Sequence, residues 1–180
     1  MKFIYIDTCV VLDCVFTRQE KASPVLLERI VEACKRNEVK LLLPRVTLLE
    51  IFRVLDEYLE TTLALLSEIK KTIAEIADAR GLNRGLKDTL TKAVNTARKE
   101  SRNNVEDAKS LICDVADDGS KSLILEIEVN DLIDAVSIAI KGDKPSKEKA
   151  QWGLLQSDCL IVAALVRFTE SHPDDELIIC

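Results

Sequence analysis

The first part of the chain contains two short apolar runs on either side of one amphipathic helix, and this pattern restricts the fold more than any other feature. Residues 2–6 have the sequence Lys-Phe-Ile-Tyr-Ile, which is typical of a buried strand. Residues 24–36 begin with proline and end with basic residues, as expected for a helix. Residues 39–43 form a second strand, which ends at Pro44. A strand, a helix and a strand in this order predict a βαβ unit and therefore a parallel sheet.

A long helical stretch follows the second strand. Apolar residues recur at every third or fourth position and predict a helix over 47–80, which is much longer than an average helix. A second periodic stretch predicts a helix over 86–114, and Gly81 and Gly85 bracket the turn between the two. Because these apolar stripes can be buried only against each other or against the core, we expect an antiparallel helical hairpin.

The rest of the chain is predicted to return to the sheet. Apolar spacing predicts a helix over 125–140, although residues 122–129 alone are also consistent with a strand. Residues 158–170 predict a strongly apolar helix that Ser157 caps, and residues 176–180 begin a third strand. Because a buried parallel strand ends there together with the chain, we expect a further C-terminal region in the parent protein.

The composition excludes several classes of protein. Apolar residues make up 47% and charged residues 31%, which is typical of a globular domain and not of a disordered chain. A net charge of −6 and an aromatic content of 4% argue against a broad basic surface and against binding single strands by base stacking. The cysteines lack metal-site spacing and indicate a reducing compartment. Because no apolar run fits a membrane helix or a signal peptide, we expect a cytoplasmic protein without membrane contact.

Three carboxylates follow or precede strands at positions that predict a common site. Asp7 follows the first strand, Glu50 follows the second, and Asp158 opens the helix that leads to the third. In a parallel sheet these points meet at one edge. Each residue also has a simpler role, because Asp7 and Asp158 suit helix N-termini and Thr47 with Glu50 has the form of a capping box. Together they suit Mg²⁺ or Mn²⁺, and we expect them within about 8 Å of one another.

These segments resemble the motifs of PIN-domain nucleases. Residues 3–13 (Phe-Ile-Tyr-Ile-Asp-Thr-Cys-Val-Val-Leu-Asp) resemble the family's opening strand, which ends in Asp-Thr or Asp-Ser. Leu43-Pro44 followed by Thr-Leu-Leu-Glu-Ile at 47–51 resembles the second motif. Ser-Asp-Cys-Leu-Ile-Val-Ala-Ala-Leu at 157–165 resembles the third.

The resemblance implies one domain with a PIN-like three-layer α/β fold and a central parallel sheet. It covers roughly residues 1–55 and 145–180, and the stretch of about 56–144 is an inserted helical region that carries the long hairpin. The fourth acid of the family usually follows the strand that begins here at Leu177. The chain reaches Cys180 before any such residue.

The resemblance also implies a metal-dependent ribonuclease, toxin-like or defence-associated, that hydrolyses RNA with Mg²⁺ or Mn²⁺. Asp7, Glu50 and Asp158 are then the catalytic residues and metal ligands. Thr8 and Lys149 are the implied substrate contacts near them.

The predicted hairpin carries a local excess of positive charge. Residues 80–109 contain eight basic and four acidic side chains, whereas the chain as a whole is acidic. Arg98, Lys99 and Arg102 are therefore candidates for contacts with an RNA backbone. A solvated helix face of mixed charge is the simpler interpretation of the same residues.

Two other functions stay open. A catalytically inactive PIN-like module would bind a partner protein through its hairpin, with the apolar stripe at 48–76 partly exposed, and a homodimer is a further expected assembly. A phosphatase or nucleotidase on a similar sheet is disfavoured, because no Asp-x-Asp or glycine-rich phosphate loop follows the first strand. The sequence does not distinguish RNA from DNA.

Overall fold

The computed structural model describes residues 1–16, 24–80, 83–141 and 157–180. These residues form, in chain order, β1 (Lys2–Tyr5), α1 (Thr8–Phe16), α2 (Pro24–Lys35), β2 (Lys40–Pro44), α3 (Arg45–Arg80), α4 (Arg84–Ala116), β3 (Ser122–Leu125), α5 (Val129–Lys141), α6 (Ser157–Ser171) and β4 (Glu176–Ile179). They divide into two compact units, the first comprising Met1–Ile51 with Leu111–Cys180 and the second Phe52–Ser110. None of the described helices is long and apolar enough to cross a membrane.

The strands of the first unit form one parallel sheet in the order β3-β2-β1-β4. Ile4 of β1 pairs with Leu41 of β2 on one side and with Ile178 of β4 on the other, and Pro44 of β2 pairs with Leu125 of β3. The central strands β1 and β2 are buried on both faces, which explains why they are continuous apolar runs. The predicted α/β class, with a central parallel sheet flanked by helices, is confirmed.

Alternate side chains of the central strands enter two cores. On one face, Phe3, Tyr5 and Leu42 pack with apolar side chains of α6, and the rings of Phe3 and Phe168 meet edge to face with centroids 4.9 Å apart. On the other face, Leu41 lies among apolar side chains of α1 and α2. Helix α6 therefore lies directly against one face of the central strands.

Strand β3 corrects one sequence-based prediction. The helix predicted over 125–140 begins only at Val129, and Ser122–Leu125 is a strand that pairs with β2. Ser122–Leu125 contains only three apolar residues, too few for periodicity to separate strand from helix, and the backbone bonds to β2 decide the conformation. The sheet therefore includes residues from the stretch 56–144, which the sequence analysis assigns to the inserted region.

The second unit consists of two long antiparallel helices. Lys87 Nζ lies 3.4 Å from Asp78 Oδ1, and Lys109 Nζ lies 2.6 Å from Asp56 Oδ1. The two aspartates on α3 are separated by the same number of residues as the two lysines on α4, so the helices keep one register over this length. The predicted helical hairpin is thereby confirmed. Gly81, which the sequence places in its turn, lies outside the described residues.

Candidate functional site

Asp7 lies at the carboxyl end of β1, where the chain turns into α1. Its backbone N–H donates to the Cys180 carbonyl at 3.1 Å, which extends the pairing of β1 with β4. Its carbonyl accepts from the Val10 N–H at 3.1 Å and its Oδ2 accepts from the Cys9 N–H at 3.4 Å, so Asp7 does cap α1. Its Oδ1 accepts a hydrogen bond from the Tyr5 hydroxyl at 3.3 Å. The carboxylate is therefore held from two sides.

Glu50 lies in the second turn of α3 and accepts hydrogen bonds from two other segments. Helix α3 begins at Arg45, so Thr47 lies inside the helix and not at the N-cap position that a capping box requires. The Thr8 hydroxyl donates to Glu50 Oε2 at 3.5 Å, and the Ser157 hydroxyl donates to Glu50 Oε1 at 3.4 Å. Each oxygen of the Glu50 carboxylate thus has its own hydroxyl donor.

These two hydrogen bonds bring three segments of the chain together. Thr8 directly follows Asp7, and Ser157 directly precedes Asp158, an exposed acid in the first turn of α6. Each hydroxyl that reaches Glu50 is therefore the sequence neighbour of another predicted catalytic acid. The meeting point is the carboxyl edge of β1 and β2, where ligands bind in open parallel sheets.

Two neighbouring groups experience the charge of these carboxylates. Burial raises the pKa of the Tyr5 phenol far above its ordinary value, and the negative charges of Asp7 and Glu50 raise it further. Desolvation raises the pKa of the Cys9 thiol, and the charges of Asp7 and Asp158 add to this rise. The charges of the first two acids therefore both act on Tyr5, and those of the first and third both act on Cys9.

The donor chemistry at this edge fits a hard divalent cation. Carboxylate oxygens are the ligands that Mg²⁺ and Mn²⁺ take in proteins. Within the described residues, no three His, Cys, Asp or Glu side chains are arranged to hold a metal ion directly. Mg²⁺ commonly keeps several waters and takes only one or two carboxylates, so the residues present fit an ion held partly through water. The expectation that Asp7, Glu50 and Asp158 lie within about 8 Å of one another stays a prediction.

The predicted RNA contacts of the hairpin lie in the second unit. Lys99 and Arg102 are exposed on α4, and Arg98 is half-buried. Arg98 and Arg102 are one helical turn apart and share a face of α4. Where the structure describes the chain, none of the three forms an ion pair with an acidic side chain. Lys149, the other predicted contact, lies outside the described residues.

Sequence reasoning missed two hydroxyl groups at this site. It treats Ser157 only as a helix cap and Tyr5 only as a strand residue, whereas their hydroxyls donate to Glu50 and Asp7. A usable signal exists in the sequence, because Ser157 directly precedes one predicted acid just as Thr8 directly follows another. Hydroxyl residues next to clustered acids are natural donors to a neighbouring carboxylate.

Comparison with known proteins agrees with this architecture. A family model described as a PIN domain matches residues 4–180, a range that includes the helical hairpin. No curated protein matches the chain, and no solved structure matches it. PIN domains are in general nucleases, and they typically use divalent metal ions. Because the family match covers almost the entire chain, the protein belongs to the PIN-domain family.

Proposed function

We propose that this protein is an endoribonuclease that hydrolyses RNA phosphodiester bonds with Mg²⁺ or Mn²⁺, using Asp7, Glu50 and Asp158. The observation that supports this most is the pair of hydroxyl bonds that hold Glu50 between the segments carrying the other two acids. A carboxylate held at both oxygens keeps its orientation before substrate arrives, and such preorganised charge is what phosphodiester hydrolysis requires.

The three acids have different surroundings, which suggest different roles. When bound, the metal ion supplies an activated water and neutralises charge on the scissile phosphate. Asp7 and Glu50 are half-buried and held by hydroxyl donors, so we assign them to holding the ion. Asp158 is exposed at the N-terminus of α6, so we assign it both to holding the ion and to orienting the attacking water. Thr8 is buried and donates to Glu50, so we assign it to positioning that carboxylate and not to direct substrate contact.

The basic residues of α4 supply an electrostatic contact for RNA. Arg98, Lys99 and Arg102 lie within a stretch of excess positive charge in a chain whose net charge is −6. A polyanion is therefore attracted to this part of the protein and repelled from the acidic remainder. Lys149 remains a predicted contact with the scissile phosphate.

One observation on the hairpin favours a second function. Leu65, Ile69 and Ile76 recur on one face of α3 and are 56%, 48% and 45% exposed. Exposed apolar rows of this kind are found at protein interaction surfaces. In this alternative the protein is a catalytically inactive PIN module that binds a partner protein through the hairpin.

Metal titration and RNA cleavage distinguish the two functions. For a metal-dependent nuclease, millimolar Mn²⁺ raises the melting temperature because the ion binds the folded state. End-labelled single-stranded RNA is then cleaved internally in Mg²⁺ or Mn²⁺ and stays intact in EDTA. A melting temperature that does not respond to Mn²⁺, together with intact RNA under all conditions, would support the inactive module and contradict the nuclease.

A further inference from the structure

Helix α5 carries a stripe of large apolar side chains on its outer face. Val129, Leu132, Ile133 and Val136 recur at the spacing of one helix face and are 72%, 43%, 57% and 42% exposed. Such a stripe normally faces the core of a globular protein. The inward side of α5 packs Ala135, Ile138 and Ala139 against α6. It also carries a carboxylate, that of Asp131, which is only 1% exposed.

A buried ion pair explains this orientation of α5. Asp131 accepts hydrogen bonds from Arg167 of α6, with Nε to Oδ1 at 2.8 Å and Nη2 to Oδ2 at 3.1 Å. Its Oδ2 also accepts from the backbone N–H of Glu128 at 2.8 Å, and Arg167 Nη1 donates to the Glu128 carboxylate at 2.7 Å. Turning α5 to bury its apolar stripe would strip a buried carboxylate of these partners, which is strongly unfavourable. This network, together with the packing of Ala135 against α6, holds the stripe towards solvent.

An open groove of about 300 Å³ between α5 and α6 adjoins this stripe. Its lining comprises the apolar side chains of Ile133 and Val166, the carboxylates of Asp134 and Glu170, and the polar side chains of Asn130 and Arg167. Among the described residues, no Lys or Arg forms an ion pair with Asp134 or Glu170. The groove thus combines apolar side chains with two carboxylates that have no ion pair within the described residues, whereas its Arg167 already pairs with Asp131 and Glu128. We refer to the stripe together with this groove as the α5–α6 surface.

We propose that the α5–α6 surface binds an amphipathic helix of a partner protein, in which Lys or Arg residues flank an apolar row. The apolar row covers Ile133 and Val166, and the cations pair with Asp134 and Glu170. Helices that lay an apolar face into a groove are a recurring mode of recognition, and complementary charge selects among them. The same carboxylates disfavour a symmetric contact between two copies, because that contact brings like charges together. The proposal is independent of the nuclease site, with which this surface shares no residue.

The test uses the full chain and two synthetic helical peptides. Both peptides carry Leu at positions i, i+3, i+4 and i+7, and the remaining positions are Lys in one and Glu in the other. Fluorescence anisotropy should show binding of the Lys peptide only, weakened by added salt. Ile133→Ser, and the double change Asp134→Lys with Glu170→Lys, should each weaken binding about tenfold or more. Leu26→Ser on α2, where Leu26 is 40% exposed, is the matched control and should leave binding unchanged.

Several outcomes would overturn the proposal. These are absence of binding by the Lys peptide, equal binding of both peptides, or unchanged affinity in the surface variants. Val166→Ser removes an apolar side chain of the groove that belongs to α6 and should weaken binding in the same way. A change confined to α5 then cannot explain the loss of binding. Circular dichroism establishes that each variant is folded. A wild-type dimer in sedimentation that Ile133→Ser converts to monomer would assign the surface to a second copy and also overturn the proposal.

Discussion

Ser157 and Glu50 are 107 residues apart in the sequence, yet the Ser157 hydroxyl donates a hydrogen bond to Glu50 Oε1 at 3.4 Å. This bond connects the first turn of α6 with the second turn of α3. The orientation of the Glu50 carboxylate therefore depends on how α6 packs against the sheet. Within the proposed nuclease site, Ser157 is a positioning residue for Glu50.

Removing the Ser157 hydroxyl should weaken the proposed metal site while leaving the fold intact. We expect Ser157→Ala to lower Mn²⁺ affinity and RNA cleavage about tenfold, as loss of a group that orients a metal ligand commonly does. Ser157→Thr retains the hydroxyl and should restore most of both. Mn²⁺ affinity is measured from the paramagnetic resonance signal of the free ion. Ser171→Ala, at the far end of α6, is the control, and equal Mn²⁺ affinity in both alanine variants would contradict the positioning role.

The Asp131–Arg167 pair should be the most sensitive polar contact of the first unit. Arg167→Met leaves the buried Asp131 carboxylate without its main partner and should lower the free energy of unfolding by about 3 kcal/mol. Combining it with Asp131→Asn removes the buried charge and should recover part of that loss. Urea unfolding followed by circular dichroism measures both values. A single variant within about 0.5 kcal/mol of wild type would show that the pair contributes little.

Tyr5 should make the protein less stable at alkaline pH. The folded protein holds the pKa of its phenol far above the ordinary value, first by burial and then by the charges of Asp7 and Glu50. The unfolded chain ionises Tyr5 at about pH 10, so its contribution to stability is complete below that pH and falls as the pH rises above it. Between pH 10 and 11, wild type should lose roughly 1 kcal/mol more than Tyr5→Phe. Equal losses in urea unfolding would mean that Tyr5 ionises freely in the folded state.

The basic residues of α4 should control RNA binding and not the chemical step. Replacing Arg98, Lys99 and Arg102 with Ala should weaken RNA binding and reduce the slope of log affinity against log salt by about two. Cleavage at saturating RNA should be unchanged. The control replaces Lys2 and Lys35, which are exposed basic residues of the first unit, with Ala. If that control flattens the salt dependence as much as the triple variant, RNA binding is not specific to α4.

The fold was predictable where one periodicity extends over many residues. The long stripes of α3 and α4 and the apolar runs of β1 and β2 each indicate a single conformation. Ser122–Leu125 is different, because four residues fit either a strand or the start of a helix. Its conformation depends on backbone bonds to β2, which lies some eighty residues earlier in the chain, and such pairing leaves no local signal.

The candidate site was predictable only in part, for a related reason. The positions of Asp7, Glu50 and Asp158 after or before strands indicate that their segments meet, because the carboxyl ends of parallel strands share an edge. The hydroxyl bonds from Thr8 and Ser157 to Glu50 depend on side-chain placement across three elements. The outward-facing stripe of α5 also lay beyond sequence reasoning, because it depends on a long-range ion pair and on the packing of α5 against α6.

The most direct test of the nuclease assignment compares two aspartate-to-asparagine changes in the same assay. Asp158→Asn removes an anionic group at the proposed site and keeps a residue that still suits a helix N-terminus. Asp174→Asn is the control, because Asp174 is exposed in the turn before β4. We measure Mn²⁺-dependent cleavage of labelled RNA. The predicted result is a loss of about a hundredfold or more for Asp158→Asn and wild-type activity for Asp174→Asn. Equal cleavage by wild type and Asp158→Asn would contradict the assignment of this site.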